Sequence, residues 1–195
     1  MVDPFAFATY SFVMSITPGP NNVMLTASGA NFGFRRTVPH ILGIVFGFSV
    51  VLLAVCAGLD ALFTRWPNLQ TALRWAGALY LVYLGWRILR SGEAGTGHSP
   101  KPLTLVEAAA FQFLNPKAWV MTLTAAAMFL PRELGFLTAC TYMVAVMAIV
   151  NLPCITIWAL FGSSLRGYLA RPSGRVAFNV VMAGALAVTG IAMVM

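Results

Sequence analysis

Six stretches of this chain are apolar over roughly the 20 residues that a helix needs to cross the hydrocarbon of a bilayer: about 5–31, 38–59, 69–90, 104–130, 136–161 and 176–195. Charged residues make up 9% of the 195 and hydrophobic ones 59%. An ordinary soluble domain is about 25% charged, so a water-facing surface could not be covered. The expected fold is an all-α integral membrane protein with six transmembrane helices in one domain over 1–195, leaving little chain for anything soluble. The leader MVDPFAFATY carries Asp3 where a secretory signal has basic residues, and no small-residue cleavage site follows a compact apolar core. The first stretch therefore reads as a retained span.

The basic residues are unevenly distributed. Of twelve lysines and arginines, Arg35, Arg36, Arg87, Arg90, Lys101, Arg166, Arg171 and Arg175 fall in or beside the first, third and fifth connections, whereas only Arg65 and Arg132 sit in the second and fourth. Under the positive-inside rule this bias puts the odd connections in the cytoplasm and both termini outside. The net charge of +7 is then an orientation signal, and nucleic-acid binding is not read from it. Cys56, Cys140 and Cys154 lack CxxC spacing and only two histidines exist, so neither a metal site nor a disulfide framework is expected. No GxxxxGK[ST] motif is present, which argues against ATP-driven pumping. No cofactor is expected.

Two of the spans are interrupted near their middles, by TPGPNN at 17–22 and by LNPKA at 114–118. Corresponding interruptions suggest duplicated halves, 1–92 and 103–195, each with three helices and joined by the polar linker 93–102. An odd number of helices per half inverts the second relative to the first. Paired broken helices in inverted repeats mark the substrate site of many secondary transporters.

The breaks have a chemical consequence. Pro18, Pro20 and Pro116 each lack an N–H, stranding the carbonyls four residues earlier, those of Met14, Ile16 and Gln112. In a membrane such groups are tolerated only where protein or a water-filled cavity satisfies them. Past the first break, the N–H groups near Asn21, Asn22 and Val23 present the positive end of a restarted helix, suited to a carboxylate. The freed carbonyls suit an ammonium, and a zwitterion of amino-acid size matches both poles.

Lys117 adds a charge at depth, and a lysine at the centre of an isolated helix costs at least about 2.5 kcal/mol on insertion scales. Asp3, Asp60, Glu93, Glu107 and Glu133 all lie near span ends or in connections. The partners left for Lys117 are a substrate carboxylate, backbone carbonyls, Asn115 or Asn151. Other readings stay open at this point. TPGPNN also fits a packing kink. Lys117 also fits a helix end, if the fourth span starts at Ala118 and 104–114 lies on the membrane surface or forms a re-entrant hairpin. Asn151 beside Pro153 fits either a pathway lining or a hydrogen bond between helices. GANFG (29–33) and GIVFG (43–47) have the small-xxx-small spacing of close helix packing, within one chain or in a homodimer. Arg35, Arg36 and His40 are expected at the cytoplasmic interface, and Trp66, Trp75, Tyr83 and Trp86 read as interfacial anchors.

The stretch SITPGPNNVMLTASGANFGFRRTVPHILGIVFG (15–47), together with FQFLNPKAWVMTLT (111–124), resembles the LysE/RhtB family of bacterial amino-acid exporters. The resemblance implies a multi-pass protein of the bacterial cytoplasmic membrane that exports amino acids or close derivatives at the expense of the proton gradient. Its partners would be the amino acid, protons and lipid. The positions it marks are Pro18, Gly19, Pro20, Asn21 and Asn22, and Asn115, Pro116 and Lys117. With Lys117 and no carboxylate at depth, a neutral amino acid is expected over a basic one. A membrane thiol oxidoreductase, which would need thiols beside the breaks, and a non-transporting assembly partner are the competing readings.

Overall fold

The computed structural model describes residues 3–58, 65–90, 101–167, 169 and 171–195, and every regular element among them is helical. The expected linker lies outside the described residues over 93–100. The helices are α1 (Pro4–Ile16), α2 (Pro20–Phe32), α3 (Phe34–Cys56), α4 (Pro67–Leu89), α5 (Leu105–Leu114), α6 (Pro116–Phe129), α7 (Phe136–Ser164) and α8 (Pro172–Val194). Three of these, α3, α7 and α8, are long and apolar enough to cross a membrane. The first and fourth apolar stretches are each cut in two, α1 from α2 and α5 from α6, where the proline motifs stand.

Proline sits at the start of α1, α2, α4, α6 and α8. There its missing N–H costs nothing and its fixed φ suits the first turn. Asp3 caps α1 by accepting from Phe5 N at 2.9 Å. Thr104 and Glu107 form a reciprocal capping box at α5. Gly33 ends α2 at φ 85, a left-handed value that glycine adopts without strain.

The two interrupted stretches each run along one unbroken helix of the other half of the chain. Ser11 donates to Met147 Sδ, Asn151 Nδ2 to Ser15 Oγ at 2.9 Å, and Trp158 Nε1 to Ile16 O at 3.1 Å. Further on, Gly29 and Gly162 bring α2 and α7 so close that an added Cβ would collide with the carbonyl of Ala159 or Thr26. Residue numbers thus rise together along α1–α2 and α7. In the same way Gly43 and Gly47 of α3 abut the carbonyls of Leu105 and Ala109 on α5, and beyond the second break Phe48 and Leu52 share a core with Ala118, Met121 and Ala125 of α6. The segment before Lys117 therefore packs along α3 and does not lie apart on a surface, nor does α6 turn back. The glycines of GIVFG are spent on packing inside one chain, as is Gly29 of GANFG.

The remaining pair, α4 and α8, closes the bundle, with Leu81, Leu84 and Leu186 in its core. The outer face carries an apolar belt including Phe46, Leu137, Ile149 and Val188, all exposed. Trp66, Trp75, Tyr83 and Trp86 are about half exposed, as interfacial anchors would be. The basic connections share one end of the bundle. Arg166 and Arg175 line a cavity with Asn31, and Asn31 lines another with Arg87 and Lys101. His40, expected at the interface, is instead buried at 1% exposure in α3, because it lies one turn further along the helix than the exposed Arg36 and is covered there by α2, α4 and the chain before α5.

Close backbone contact sets the first prediction. Gly162→Leu, forced against the Thr26 carbonyl, lowers stability by about 1–3 kcal/mol, whereas Gly184→Leu, with nothing within 4 Å, is neutral. Thermal unfolding in detergent, followed by circular dichroism, reads the difference; equal midpoints for both variants would contradict this packing.

Candidate functional site

The carbonyls stranded by the prolines all find partners. Met14 O accepts from Thr17 Oγ1 at 3.1 Å, Ile16 O from Trp158 Nε1, and Gln112 O from Asn115 N at 3.3 Å. Each of these three groups therefore already has a donor within the protein, and none is left stranded by its proline. Leaving one unpaired in an apolar interior would cost about 1–3 kcal/mol. The chain pays that cost down with one hydroxyl, one indole and one backbone amide.

An ammonium does sit at the first break, but it belongs to the protein. Lys117 Nζ donates to Thr17 O at 2.7 Å, to Thr17 Oγ1 at 3.0 Å and to Pro18 O at 3.3 Å. All three donors of the ammonium are used, which settles how a half-buried lysine is tolerated without a carboxylate. Gly19 makes the crossing possible: a Cβ there would lie 2.8 Å from Lys117 Cδ. Its backbone is extended, so the requirement is space and not conformation. Lys117 thereby joins the two breaks, about 100 residues apart in sequence.

Amides build the rest of the site. Asn21 and Gln112 exchange two hydrogen bonds, Nδ2 to Oε1 at 2.9 Å and Nε2 to Oδ1 at 3.1 Å. Asn22 Nδ2 donates to Thr17 O at 2.8 Å and to Ser15 O at 3.1 Å, holding the end of α1 against the start of α2. Asn115 caps α6 by accepting from Lys117 N at 3.1 Å, and its Nδ2 donates to Gln112 Oε1 at 3.3 Å. At the first break no side chain caps α2. Val23 N, counted above among the free donors, bonds Gly19 O at 3.0 Å, leaving Asn21 and Asn22 as the residues whose N–H groups face the break. Asn151 both lines the cavity and bonds Ser15, and its Oδ1 is buried with no partner among the described residues.

One small cavity thus gathers Gly19, Asn21, Asn22, Asn115, Lys117 and Asn151, walled by Ser15, Phe48 and Met121. Pro18 contributes its carbonyl. Pro20 and Pro116 act by starting helices, and the Pro116 ring lines a separate groove with Arg74 and Trp119. The cavity measures about 20 Å³, enough for a water, which needs about 10–15 Å³, and too small for an amino acid, so this conformation is shut to substrate. Ser15, Thr17, Gln112 and Trp158 are site residues that sequence reasoning missed as side chains. A lone glutamine inside FQFLN is a signal that would have found Gln112; the others give none. No carboxylate lines the cavity, and neither does a cysteine. Cys56 and Cys140 neighbour each other at the end opposite the basic connections, away from both breaks. Among the described residues no cluster of side chains could hold a metal.

Paired helix breaks that meet in a polar cavity inside an apolar helical bundle are an arrangement that many membrane transporters use, and comparison with known proteins gives the family. The sequence profile of the LysE type translocators matches residues 12–195, and the chain belongs to that family. Proteins named "Cysteine/O-acetylserine efflux protein" from Escherichia coli and Shigella sonnei are 34% identical to it over 182 residues, covering 91% of this chain and 90% of theirs. No solved structure matches.

The lysine bridge predicts a local effect. In Lys117→Met the Pro18 carbonyl loses the lysine and the Thr17 carbonyl keeps only Asn22 Nδ2, and amide hydrogen exchange over 15–23 accelerates by about tenfold or more, for about 1.4 kcal/mol of lost protection. Unchanged exchange there would mean that the bridge holds nothing.

Proposed function

We propose that this protein is a secondary transporter that exports small neutral amino acids, cysteine or O-acetylserine among them, across the bacterial cytoplasmic membrane at the expense of the proton gradient. The observation that carries this reading is the Lys117 ammonium seated on the carbonyls of Thr17 and Pro18. Those oxygens are what a substrate α-ammonium would bind, and in the shut conformation the protein occupies them itself. Substrate binding is then an exchange of partners. The substrate ammonium takes the carbonyls of the first break, Lys117 turns to the substrate carboxylate, and the N–H groups of Asn21 and Asn22 at the start of α2 supply the remaining positive field. Asn151 Oδ1, the unpartnered acceptor, and the Asn21–Gln112 pair would orient the rest of the molecule.

The architecture this needs is six spans in two inverted three-helix halves. Its support is the reciprocal packing: the interrupted stretch of each half runs along the middle helix of the other, α1–α2 along α7 and α5–α6 along α3. Rocking one half against the other would open the shut site to either side. Gathering of Arg87, Lys101, Arg166 and Arg175 at one end supports a cytoplasmic basic end with both termini outside. Neutral substrates are favoured because a basic side chain would need a carboxylate, and none lines the cavity. The names of the relatives point the same way, since cysteine and O-acetylserine are both neutral zwitterions.

Proteoliposomes preloaded with labelled L-cysteine under reducing conditions, or with L-arginine, test this. Cysteine efflux accelerates under an imposed pH gradient and arginine efflux does not. Asn21→Ala and Lys117→Ala each reduce cysteine efflux by about tenfold or more while the protein remains a folded, monodisperse species. Efflux of arginine above that of cysteine would overturn the neutral preference, and wild-type rates in both variants would remove the breaks from the transport path.

A further inference from the structure

Among the described residues, His40 has both of its side-chain polar atoms buried without a partner, and the residue is 1% exposed. A buried polar group left unpaired costs about 1–3 kcal/mol, and each such group in a native fold needs an explanation. Its surroundings supply one. The residue lines a cavity of about 50 Å³, enough to hold water, which needs about 10–15 Å³. That cavity lies at the basic end, between α2, α3 and α4.

The groups facing His40 can be named from every side. From α4 comes Arg87, and from the segment before α5 comes Lys101; both are cations. From α2 come Ser28 and Asn31, which are neutral. Ser28 is already paired with Thr37 Oγ1 at 2.9 Å, and Asn31 Nδ2 donates to Ala27 O and Asn179 Oδ1. Neither α5, α6, α7 nor α8 contributes a side chain to this cavity, and Glu107 is spent on the exposed capping box of α5. Among the described residues no carboxylate lines this cavity to hold an imidazolium in place. Arg87 Nη2 donates to the Lys101 carbonyl at 3.0 Å, tying the end of α4 to the chain leading into α5 directly over this cavity.

We propose that His40 is the proton-binding site of the transport cycle, and that its protonation opens the basic end of the bundle. The proposal deepens the reading of the chain as a proton-driven exporter and rests on it. The step balances with one proton. A proton arriving at the imidazole makes an imidazolium, a third cation beside Arg87 and Lys101, with two N–H donors to satisfy. Repulsion at this range is relieved by parting α4 from the segment before α5, which breaks the Arg87–Lys101 bond and admits water from the basic end. The proton leaves into that water, the imidazole returns to neutral, and the end closes. An imidazole can take a proton onto a ring nitrogen and release it again, and Lys117 is engaged through all three donors at the first break.

His40→Gln keeps a polar side chain of similar reach and cannot titrate. In proteoliposomes two modes are compared: exchange of labelled against unlabelled L-cysteine at equal pH, and net cysteine movement driven by a pH gradient with an internal pH dye. The variant cannot charge and so cannot open the basic end; it loses gradient-driven movement and cysteine-dependent proton flux by about tenfold or more, and exchange falls with them, while it remains a folded, monodisperse species. Gradient-driven movement retained in His40→Gln overturns the proposal. Wild-type protein that exchanges cysteine but ignores the gradient overturns it together with proton coupling. Wild-type protein that exchanges nothing overturns the transport reading itself. A second measurement does not depend on the variant folding. The chain has two histidines, so in His98→Gln protein the ¹⁵N imidazole signals report His40 alone. Their midpoint moves when saturating L-cysteine is added; signals unchanged with pH and with cysteine overturn the proposal.

Discussion

A backbone carbonyl or amide that loses its helical partner inside lipid must be repaired by the protein, and this constraint governs the arrangement at both breaks. Proline removes donors at 18, 20 and 116, and the repairs come from far away as well as from nearby. Trp158 reaches across from α7 to Ile16, and Lys117 from α6 to Thr17 and Pro18. Each repair is also a tertiary contact, so the breaks draw α1, α2, α6 and α7 together at one point. Satisfying the backbone and assembling the site are one event.

The same constraint explains the site's chemistry. A break that exposes carbonyls on one side and helix-starting N–H groups on the other is a dipole in a medium of low polarity. It can be neutralised by a lysine and its surroundings or by a zwitterion, and in the shut conformation the lysine does it. The two solutions are close in kind, which is what a transporter needs: a bound state that is not far below the empty one. Gly19 leaves room for the lysine to cross, and the amide pairs Asn21–Gln112 and Asn22–Ser15 keep the walls polar without adding charge. At the basic end, His40 in its small cavity sits under the Arg87–Lys101 tie, so the two titratable features of the interior lie at different depths along the bundle.

Much of this was legible in the sequence because local chemistry dictated it. Helix length, apolar content and proline position placed the helices and both breaks. The residues that the resemblance marked meet in one cavity, save for the rings of Pro18, Pro20 and Pro116. What was not legible depends on distant segments. Nothing around Trp158 says that its indole will serve Ile16, 142 residues away. The spacing of prolines says which carbonyls are freed but not who takes them: those of Met14, Ile16 and Gln112 each have a donor within the protein, and the lysine ammonium sits at Thr17 and Pro18. The neighbouring arginines suggest an interface for His40, but it lies about one turn further along α3, where α2, α4 and the chain before α5 cover it.

Substrate is expected to displace Lys117 from the carbonyls of the first break and to pair with it. The chain has two lysines, Lys101 and Lys117, so Lys101→Arg protein labelled with ¹⁵N-lysine carries one ammonium signal. Solid-state NMR of that protein in lipid, with carboxyl-¹³C L-cysteine bound, measures whether the substrate carboxylate approaches Lys117 Nζ. The account predicts a direct dipolar contact at salt-bridge range, about 4 Å between heavy atoms. Bound cysteine with no such contact, and a Lys117 signal identical to that of the empty protein, would contradict it.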